Sequence, residues 1–343
     1  MPRSWGFWTS YKLELLQRYL DAFTTTTRNK STKVVYLDLF AGEPENVDRL
    51  TKIPIDGSPR IALDVADPPF THLRFFEIEP NVTKLRQALT EEFPDRDWLV
   101  YEDCNASISG ALAELRAADA GWAPTFAFID PNGPHYRWKT LETLAAHKAP
   151  PRTKTKVELW MLFPDAFFAR LLPTTGDVRP IDNVTITALF GDPSWHAIWR
   201  AKLDGTIDPA QARDEYVNLM RWRLETELGY RWTHQLEVRN TFDRPLYHMI
   251  FATDSDPGHR IMGAIYDKAM SEFPERAQQA RILRQQRKQE ELGYYDLFSA
   301  AGGFESLGGT AGPAVDGPEK LYVHEPPEEP REHDRVTCTY CEW

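Results

Sequence analysis

The 343-residue sequence has the composition of a folded globular protein and a strongly acidic net charge. Hydrophobic residues make up 42% of the chain and aromatic residues 12%, and the formal net charge is −11 at pH 7. A protein with this charge is not expected to condense as a whole onto nucleic acid or an anionic membrane, although a local basic surface is compatible with it. No apolar run approaches the roughly 18 residues that span a bilayer, and the amino terminus lacks the pattern of a secretory signal. Three cysteines are too few for a disulfide framework, so we expect a cytoplasmic location.

A helix followed by alternating strands and helices is predicted for the first half of the chain. Between Ser10 and Arg28 apolar residues recur at helical spacing, which predicts a helix with one buried face. Near-continuous apolar runs of strand length follow, and such runs are typical of parallel strands covered on both faces. The predicted strands are VVYLDLF, LRFFEI, WLVYED, FAFID and VELWMLF, and the helices between them are predicted at 83–93, 107–118 and 138–147.

The last two predicted strands, HQLEVR and YHMIFAT, are separated by only seven residues, NTFDRPL. A parallel crossover needs a dozen or more residues, so these strands are predicted to be antiparallel neighbours. Parallel strands that alternate with helices and end in an antiparallel hairpin are the layout of class I S-adenosylmethionine methyltransferases. The sequence therefore predicts an α/β fold with a doubly wound, mostly parallel, seven-stranded Rossmann-like sheet of the methyltransferase type.

Two segments differ from this pattern. Residues 164–214 are predicted to form a helical insertion that caps the carboxyl ends of the strands. Pro, Gly and Asp recur along this segment and divide it into short pieces. Helices are expected again over 215–228 and 259–292. Residues 299–343 are rich in Gly, Pro and Glu and are predicted to be a flexible acidic tail. The predicted organisation is one domain over residues 1–298, followed by this tail.

Carboxylates occur at the ends of four predicted strands. Asp38 lies near the end of the first, Glu77 and Glu79 end the second, Asp103 closes the third and Asp130 closes the fourth. Since the carboxyl ends of parallel strands share one edge, these side chains are predicted to line one crevice. There Asp38, Glu77, Glu79 and Asp103 would hold S-adenosylmethionine. Glu77 or Glu79 would accept hydrogen bonds from the ribose hydroxyls. For each carboxylate the alternative is a helix N-cap or an ordinary loop position.

The loop after the first strand, DLFAGEPENVDR, contains a single glycine, Gly42. A glycine lets the backbone approach a ligand, and a helix start after it would offer free amide groups. Gly42 is therefore also assigned to the cofactor site. Glu43 and Glu45 add negative charge to this loop, and a plain strand-to-helix turn is the alternative.

The segment Asp130-Pro131-Asn132-Gly133 closes the fourth predicted strand. In methyltransferases acting on exocyclic or amide nitrogens, an acidic or amide residue before Pro-Pro and an aromatic residue accepts hydrogen bonds from the target amine. Asp130, Asn132 and Asp38 are accordingly the predicted catalytic residues, and aromatic side chains nearby can stack on a base. Asn132 and Gly133 can instead form an ordinary turn.

A series of segments resembles the three-Cys-motif partner proteins of bacteria and phages. The segments are YKLELLQRYLDAF, YLDLFAG, DGSPRIAL, FFEIEP, EDCN, FIDPNG, FFARLL and YHMIFATDSDPGHRIMGAIY, in that order over most of residues 5–270. The resemblance implies a methyltransferase-like fold and a partner, a radical-SAM-like protein with three cysteines, but no settled activity. Members of that family more often have Pro-Gly after the first-loop glycine and Phe after Asp-Pro, where this chain has Glu43 and Asn132.

Three functions are consistent with these features. The first is a methyltransferase-like enzyme acting on nucleic acid or a modified base, in which Asp130 accepts hydrogen bonds from the target amine. The second is a nuclease or phosphodiesterase in which Asp38, Glu77, Glu79 and Asp130 hold Mg²⁺ or Mn²⁺, because hard cations prefer oxygen ligands. The third is a non-catalytic binding partner of the radical-SAM-like protein.

A basic cluster near the end of the last predicted helix consists of Arg276, Arg281, Arg284, Arg287 and Lys288. Arg281, Arg284 and Lys288 are spaced three and four residues apart, so on a helix they share one face. Phosphate contact is the functional interpretation, and a solvated helix face is the alternative.

Cys338 and Cys341 have the spacing of half a zinc site. A structural zinc site needs four ligands, and the sequence has no second pair of cysteines at this spacing. The expected behaviour is weak metal binding by the tail, or none.

Overall fold

The computed structural model describes residues 4–5, 7–48, 52–148 and 155–291. The strands are β1 (Ser4–Trp5), β2 (Val35–Asp38), β3 (Glu45–Asp48), β4 (Pro54–Asp56), β5 (His72–Phe76), β6 (Trp98–Tyr101), β7 (Thr125–Ile129), β8 (Glu158–Phe163), β9 (Trp232–Arg239) and β10 (Pro245–Thr253). The helices are α1 (Phe7–Thr27), α2 (Ser58–Asp64), α3 (Asn81–Glu92), α4 (Cys104–Ala117), α5 (Trp138–Ala145), α6 (Asp165–Leu171), α7 (Pro180–Phe190), α8 (Trp195–Leu203), α9 (Pro209–Thr226) and α10 (Asp256–Glu291). The predicted tail, with Cys338 and Cys341, lies outside the described residues.

Seven strands form one sheet in the order β6-β5-β2-β7-β8-β10-β9. The first five are parallel to one another, and β10 is antiparallel to both β8 and β9. Each residue of β2, β5, β7 and β8 is buried, as expected for strands covered on both faces. The predicted seven-stranded, mostly parallel sheet with a terminal antiparallel hairpin is therefore confirmed.

Helices cover both faces of this sheet. Alternate residues of β2 enter two separate hydrophobic clusters. Val35 and Leu37 share one with α4, α5, α6, α7, α8 and α9, and Tyr36 shares the other with α1, α2, α3 and α10. The chain moves outward from β2 through β5 to β6 and then returns to β7 on the other side of β2. The strand order thus reverses between β2 and β7, and in open α/β sheets ligands bind beside this point, at the carboxyl ends of the strands.

The segment after β2 differs from the predicted strand-to-helix turn. Residues 45–48 and 54–56 form strands that, with β1, make a second, three-stranded sheet. Helix α2 begins only at Ser58, so no helix start follows Gly42 directly. Polar residues dominate these short strands, which lack the long apolar run that identifies a strand in the main sheet. Pro54 stands first in its strand, a position that proline tolerates.

The segment from 164 to 214 is helical, as predicted. It contains α6, α7 and α8, and α9 begins at Pro209, six residues before the predicted helix start. The reason for the earlier start is a capping box, in which the Asp208 side chain accepts from the backbone of Gln211 and the Gln211 side chain accepts from the backbone of Asp208. Within the described parts of the chain, no helix has the length and apolar character needed to cross a membrane.

Candidate ligand cleft at the carboxyl edge of the sheet

A cleft of about 1320 Å³ lies at the ends of β2, β5, β6 and β7. The predicted site residues that line it are Gly42, Glu77, Glu79, Asp103, Asp130 and Asn132. Further walls come from α1, from α7 and from the beginning of β10. The strand ends therefore bring most of the predicted residues to one cleft, and Asp38 is the exception.

Asp38 is fully buried and does not line the cleft. Its Oδ2 accepts a hydrogen bond from the Tyr36 hydroxyl at 3.1 Å, and its Oδ1 accepts one from the Phe40 amide at 3.4 Å. Burial raises the pKa of Asp38 to about 7, although hydrogen bonds from Ser58, Tyr36 and Phe40 favour the ionised form. The structure thus does not support the predicted catalytic and cofactor-binding roles of Asp38, because its carboxylate is enclosed by these donors and supports the first loop.

Glu77 connects the end of β5 to the loop after β2. Its Oε2 accepts from the Gly42 amide at 2.7 Å and its Oε1 from the Ile78 amide at 2.9 Å. Gly42 has a φ of +68°, a left-handed conformation that glycine adopts without a steric cost. Each carboxylate oxygen can accept a second hydrogen bond, so Glu77 also has capacity for a ligand's hydroxyl groups.

Glu79 and Asp103 each accept a hydrogen bond from the first turn of a neighbouring helix. Glu79 is exposed, and its Oε1 accepts from the Thr83 hydroxyl in the first turn of α3 at 2.8 Å. Asp103 is the N-cap of α4, where Oδ1 accepts from the Asn105 amide at 2.9 Å. The N-cap alternative therefore holds for Asp103. Its second oxygen, Oδ2, has no hydrogen-bond partner among the residues that the structure describes.

Asn105 fixes the loop that follows β7. Its Nδ2 donates to the His135 carbonyl at 2.8 Å, while its Oδ1 accepts from the Arg137 amide at 3.0 Å and from the Thr140 hydroxyl at 2.8 Å. These bonds set the position of the segment that contains Asn132, an exposed residue in the wall of the cleft. The strand-end position of Asp103 and the segment EDCN both indicated this region, but the bridging role of Asn105 was not predicted.

Lys12 of α1 is a buried cation in the wall of the cleft, and it was not among the predicted site residues. Its Nζ forms an ion pair with Asp130 Oδ2, and the two side chains are 5% and 17% exposed. The same Nζ lies 5.8 Å from the ring centroid of Tyr247. The other carboxylate oxygen of Asp130 has no partner within the described residues. The sequence offered one signal, because Lys12 stands between the apolar residues Tyr11 and Leu13, and all three prove to be buried.

Apolar side chains remain exposed within this cleft. Ile181 and Val184 of α7 are 66% and 64% exposed, and Ile78, next to Glu77, is 60% exposed. Phe167 lies in the same wall. Exposed apolar side chains in a concave site with a few polar groups are typical of a binding site for a ligand with an apolar or aromatic body.

Cys104 also lines the cleft but is not an activated nucleophile. Its thiol is 2% exposed, and burial raises its pKa to about 12, with the charge of Asp103 adding to the effect. A thiol in such surroundings is almost entirely protonated at neutral pH.

The predicted metal site is not supported. In the described ranges no group of three or more His, Cys, Asp or Glu residues is arranged to hold a metal ion. Asp38 is bound by Tyr36, Glu77 by backbone amides, and Asp130 by Lys12, so these carboxylates do not converge as an oxygen cage. The metal-dependent nuclease interpretation, which also required Glu79, therefore lacks its ligand set.

The strand order and the terminal hairpin define an α/β protein with a methyltransferase-type, Rossmann-like sheet. No protein-family model and no curated protein matches the chain. Among solved structures it is similar to protein LPL1258 from Legionella pneumophila str. Philadelphia 1, with a TM-score of 0.43 and 10% identity over 76% of this chain and 91% of that one. It is also similar to the methyltransferase domain of bacterial CtHen1-CN, with a TM-score of 0.33 and 12% identity over 69% of this chain and 99% of that one.

Proposed function

We propose that the cleft binds S-adenosylmethionine and that the protein is a methyltransferase-like enzyme whose acceptor is a nitrogen of a nucleic acid base or a modified base. The observation that carries the proposal is the position of Gly42, Glu77, Asp103 and Asp130 at four strand ends around one cleft. This cleft lies where the strand order reverses, the usual ligand position in such sheets.

The residues of the first loop, β5 and β6 fit the nucleoside part of this cofactor. Glu77 has the acceptor capacity to hold the two ribose hydroxyls, and the exposed Ile78 offers an apolar surface to one face of the adenine ring. Asp103 Oδ2 is available to accept from the adenine amino group. With Glu79, these groups give the cleft an acidic rim, which suits a cofactor with a positively charged sulfonium. When bound, the cofactor supplies an electrophilic methyl group.

The acceptor is held by the other half of the cleft. Asp130 Oδ1 accepts a hydrogen bond from the target amine and so orients its lone pair. Lys12 holds Asp130 in place through the second oxygen and keeps the carboxylate paired in a partly desolvated position. Ile181, Val184 and Phe167 provide an apolar wall for the body of the base.

Calorimetric titration of the full chain with S-adenosylmethionine and S-adenosylhomocysteine tests the proposal. We expect saturable binding, weakened about 10-fold or more in Glu77→Gln, because one charge-assisted hydrogen bond contributes about 1.5–3 kcal/mol. Glu79→Gln is the matched control. It removes the same charge two residues away, and we expect an affinity within about twofold of the wild type because this exposed carboxylate acts mainly through weaker long-range attraction.

A second substitution separates capping from cofactor binding at Asp103. Asn is as good an N-cap as Asp, so Asp103→Asn should preserve stability while replacing the acceptor opposite the adenine amino group. A weaker cofactor affinity with an unchanged melting temperature would support the assignment. Absence of any binding by the wild-type protein at millimolar cofactor would overturn the proposed function.

A proposal on the partner follows from the resemblance to three-Cys-motif partner proteins. We propose that the protein acts together with a radical-SAM-like protein that has three cysteines, and that in this complex it is either the enzyme or a non-catalytic binding subunit. Co-expression of the two, with affinity purification through a tag on one of them, tests this. Separate elution at micromolar concentrations would contradict the pairing.

A further inference from the structure

The carboxyl-terminal half of α10 and the turn between β9 and β10 form one basic and aromatic surface. Arg281 donates to the Thr241 carbonyl of the turn, and the guanidinium of Arg284 lies 5.3 Å from the ring centroid of Phe242. We call this the basic–aromatic surface, and it consists of Phe242, Arg244, Arg281, Arg284, Arg287 and Lys288. Arg276 does not belong to it, because its guanidinium is paired with Glu14 and Glu272.

The cations of this surface form no ion pair within the part of the chain whose side chains the structure describes. Phe242 is 59% exposed although it is a large apolar side chain in a turn. The dipole of α10 favours cations in its last turn, but it does not account for Arg244 or for an exposed aromatic ring on the turn.

The topology places this surface beside the cleft. His248 of β10 pairs with Phe163, the last residue of β8, so β10 begins at the carboxyl edge of the sheet. The turn that precedes β10 lies at the same edge, and the two residues after Pro245, Leu246 and Tyr247, line the cleft. A ligand that extends out of the cleft past β10 therefore meets Phe242 and the arginines of α10.

We propose that the basic–aromatic surface binds single-stranded nucleic acid and leads one of its bases into the cleft. Clustered arginines attract the phosphates, and an exposed aromatic ring with an arginine over it gives a base a surface to stack on. The charge contrast supports the assignment, since these cations lie on a protein with a net charge of −11. The inference rests on the proposed function as far as the acceptor is concerned, but binding of the strand itself does not require the cofactor.

Fluorescence anisotropy with the full chain tests this surface. The probes are a 5′-labelled 20-nucleotide single strand of mixed sequence, as RNA and as DNA, and a duplex of the same length. With four phosphate contacts we expect the affinity for the single strand to fall roughly 50-fold between 50 and 200 mM NaCl. The triple variant Arg284→Gln, Arg287→Gln, Lys288→Gln should lose most of this salt dependence.

Two controls separate the surface from general charge effects. Lys30→Gln, Lys52→Gln, Lys202→Gln removes the same charge elsewhere and should bind like the wild type. Phe242→Ala should weaken binding about 10-fold, whereas Phe242→Trp should retain it, since indole also stacks on bases.

The inference is overturned if the single strands do not bind at 50 mM NaCl, if the two triple variants bind alike, or if the duplex binds as tightly as the single strand and Phe242→Ala has no effect. Cofactor titration of the same preparations distinguishes the two proposals. Normal cofactor binding with no strand binding removes this inference alone, and the reverse result removes the cofactor proposal alone.

Discussion

Lys12 and Asp130 form the ion pair that organises the acceptor half of the cleft. Both side chains are largely withdrawn from solvent, with 5% and 17% exposure. Removing one partner leaves the other charge desolvated, so Lys12→Met and Asp130→Asn should each lower the free energy of unfolding by about 3 kcal/mol. The double variant should cost less than the sum by about 1–3 kcal/mol, because it leaves no unpaired charge. Urea unfolding at pH 7 measures this cycle, and additive costs would show that the pair is not coupled.

Asp38 predicts a particular pH dependence of stability. Burial raises its pKa from an ordinary value of 3.8 to about 7, so between these values the folded protein binds the proton and the unfolded chain does not. Its contribution to the free energy of unfolding therefore decreases as the pH rises from about 4 to about 7. At 1.36 kcal/mol per pKa unit the decrease is roughly 4 kcal/mol. In Asp38→Asn this pH-dependent contribution is absent. The difference in the free energy of unfolding between the wild type and the variant, measured by urea unfolding, should therefore decrease across this pH range. A difference that stays constant with pH would contradict the raised pKa of Asp38.

At the scale of elements, the loop between β2 and α2 depends on two glycines for different reasons. Gly42 needs its positive φ, but a Cβ there would meet no atom within 4 Å. A Cβ on Gly57 would lie 2.3 Å from the Glu43 carbonyl oxygen and 3.1 Å from that of Pro44. Gly57→Ala must therefore displace the backbone that follows Gly42.

We expect Gly57→Ala to lower the free energy of unfolding by about 1–3 kcal/mol, the usual cost of forcing extra atoms into a packed site. It should also weaken cofactor binding, because the displaced backbone adjoins the Glu77–Gly42 hydrogen bond. Gly110→Ala in α4 is the control. Its Cβ meets nothing within 4 Å and its backbone is helical, so it should stabilise the protein by about 0.5–1 kcal/mol. Equal effects of the two substitutions, measured by urea unfolding, would refute the steric argument.

Elements with a strong periodic signal could be predicted from the sequence, and short or polar ones could not. The buried strands have continuous apolar runs, and the hairpin follows from a connection too short for a crossover. The second sheet has neither signal, since β3 and β4 are polar and three to four residues long. The carboxylates at the strand ends also predicted the position of the cleft, because the carboxyl ends of parallel strands lie at one edge of the sheet.

Side-chain partners within the cleft depend on tertiary packing, which local patterns do not encode. Asp38 follows the same strand-end rule as Asp130, yet the donors around it enclose it beneath the cleft. Lys12 is more than 100 residues from Asp130 in sequence, and only the docking of α1 on the sheet brings the two together. For this reason the sequence predicted the position of the site better than its chemistry.

At the scale of the whole molecule, charge is distributed in a way that the net value conceals. The rim of the cleft carries Glu77, Glu79 and Asp103, whereas the neighbouring turn and the end of α10 carry a cluster of arginines. An acidic rim suits a cationic cofactor, and an adjacent basic surface suits a polyanionic acceptor. Raising the salt concentration should therefore weaken strand binding far more than it weakens cofactor binding.

Cys104 can report whether the molecule opens as one unit. It lies at the start of α4, lines the cleft, is 2% exposed and belongs to the larger hydrophobic cluster, which spans β2, β5, β7, β8, β10 and six helices. In a chain with Cys338→Ser and Cys341→Ser, it is the one remaining thiol, and its pKa of about 12 makes the native rate of disulfide exchange very low.

Because Asp103 and Asn105 fix this helix end and both core clusters share one sheet, we expect the reaction of Cys104 with a disulfide to require global unfolding. The logarithm of the rate with an aromatic disulfide should then rise with urea in proportion to the equilibrium m value. A rate independent of urea would instead show that this edge of the sheet opens locally, with the rest of the protein still folded.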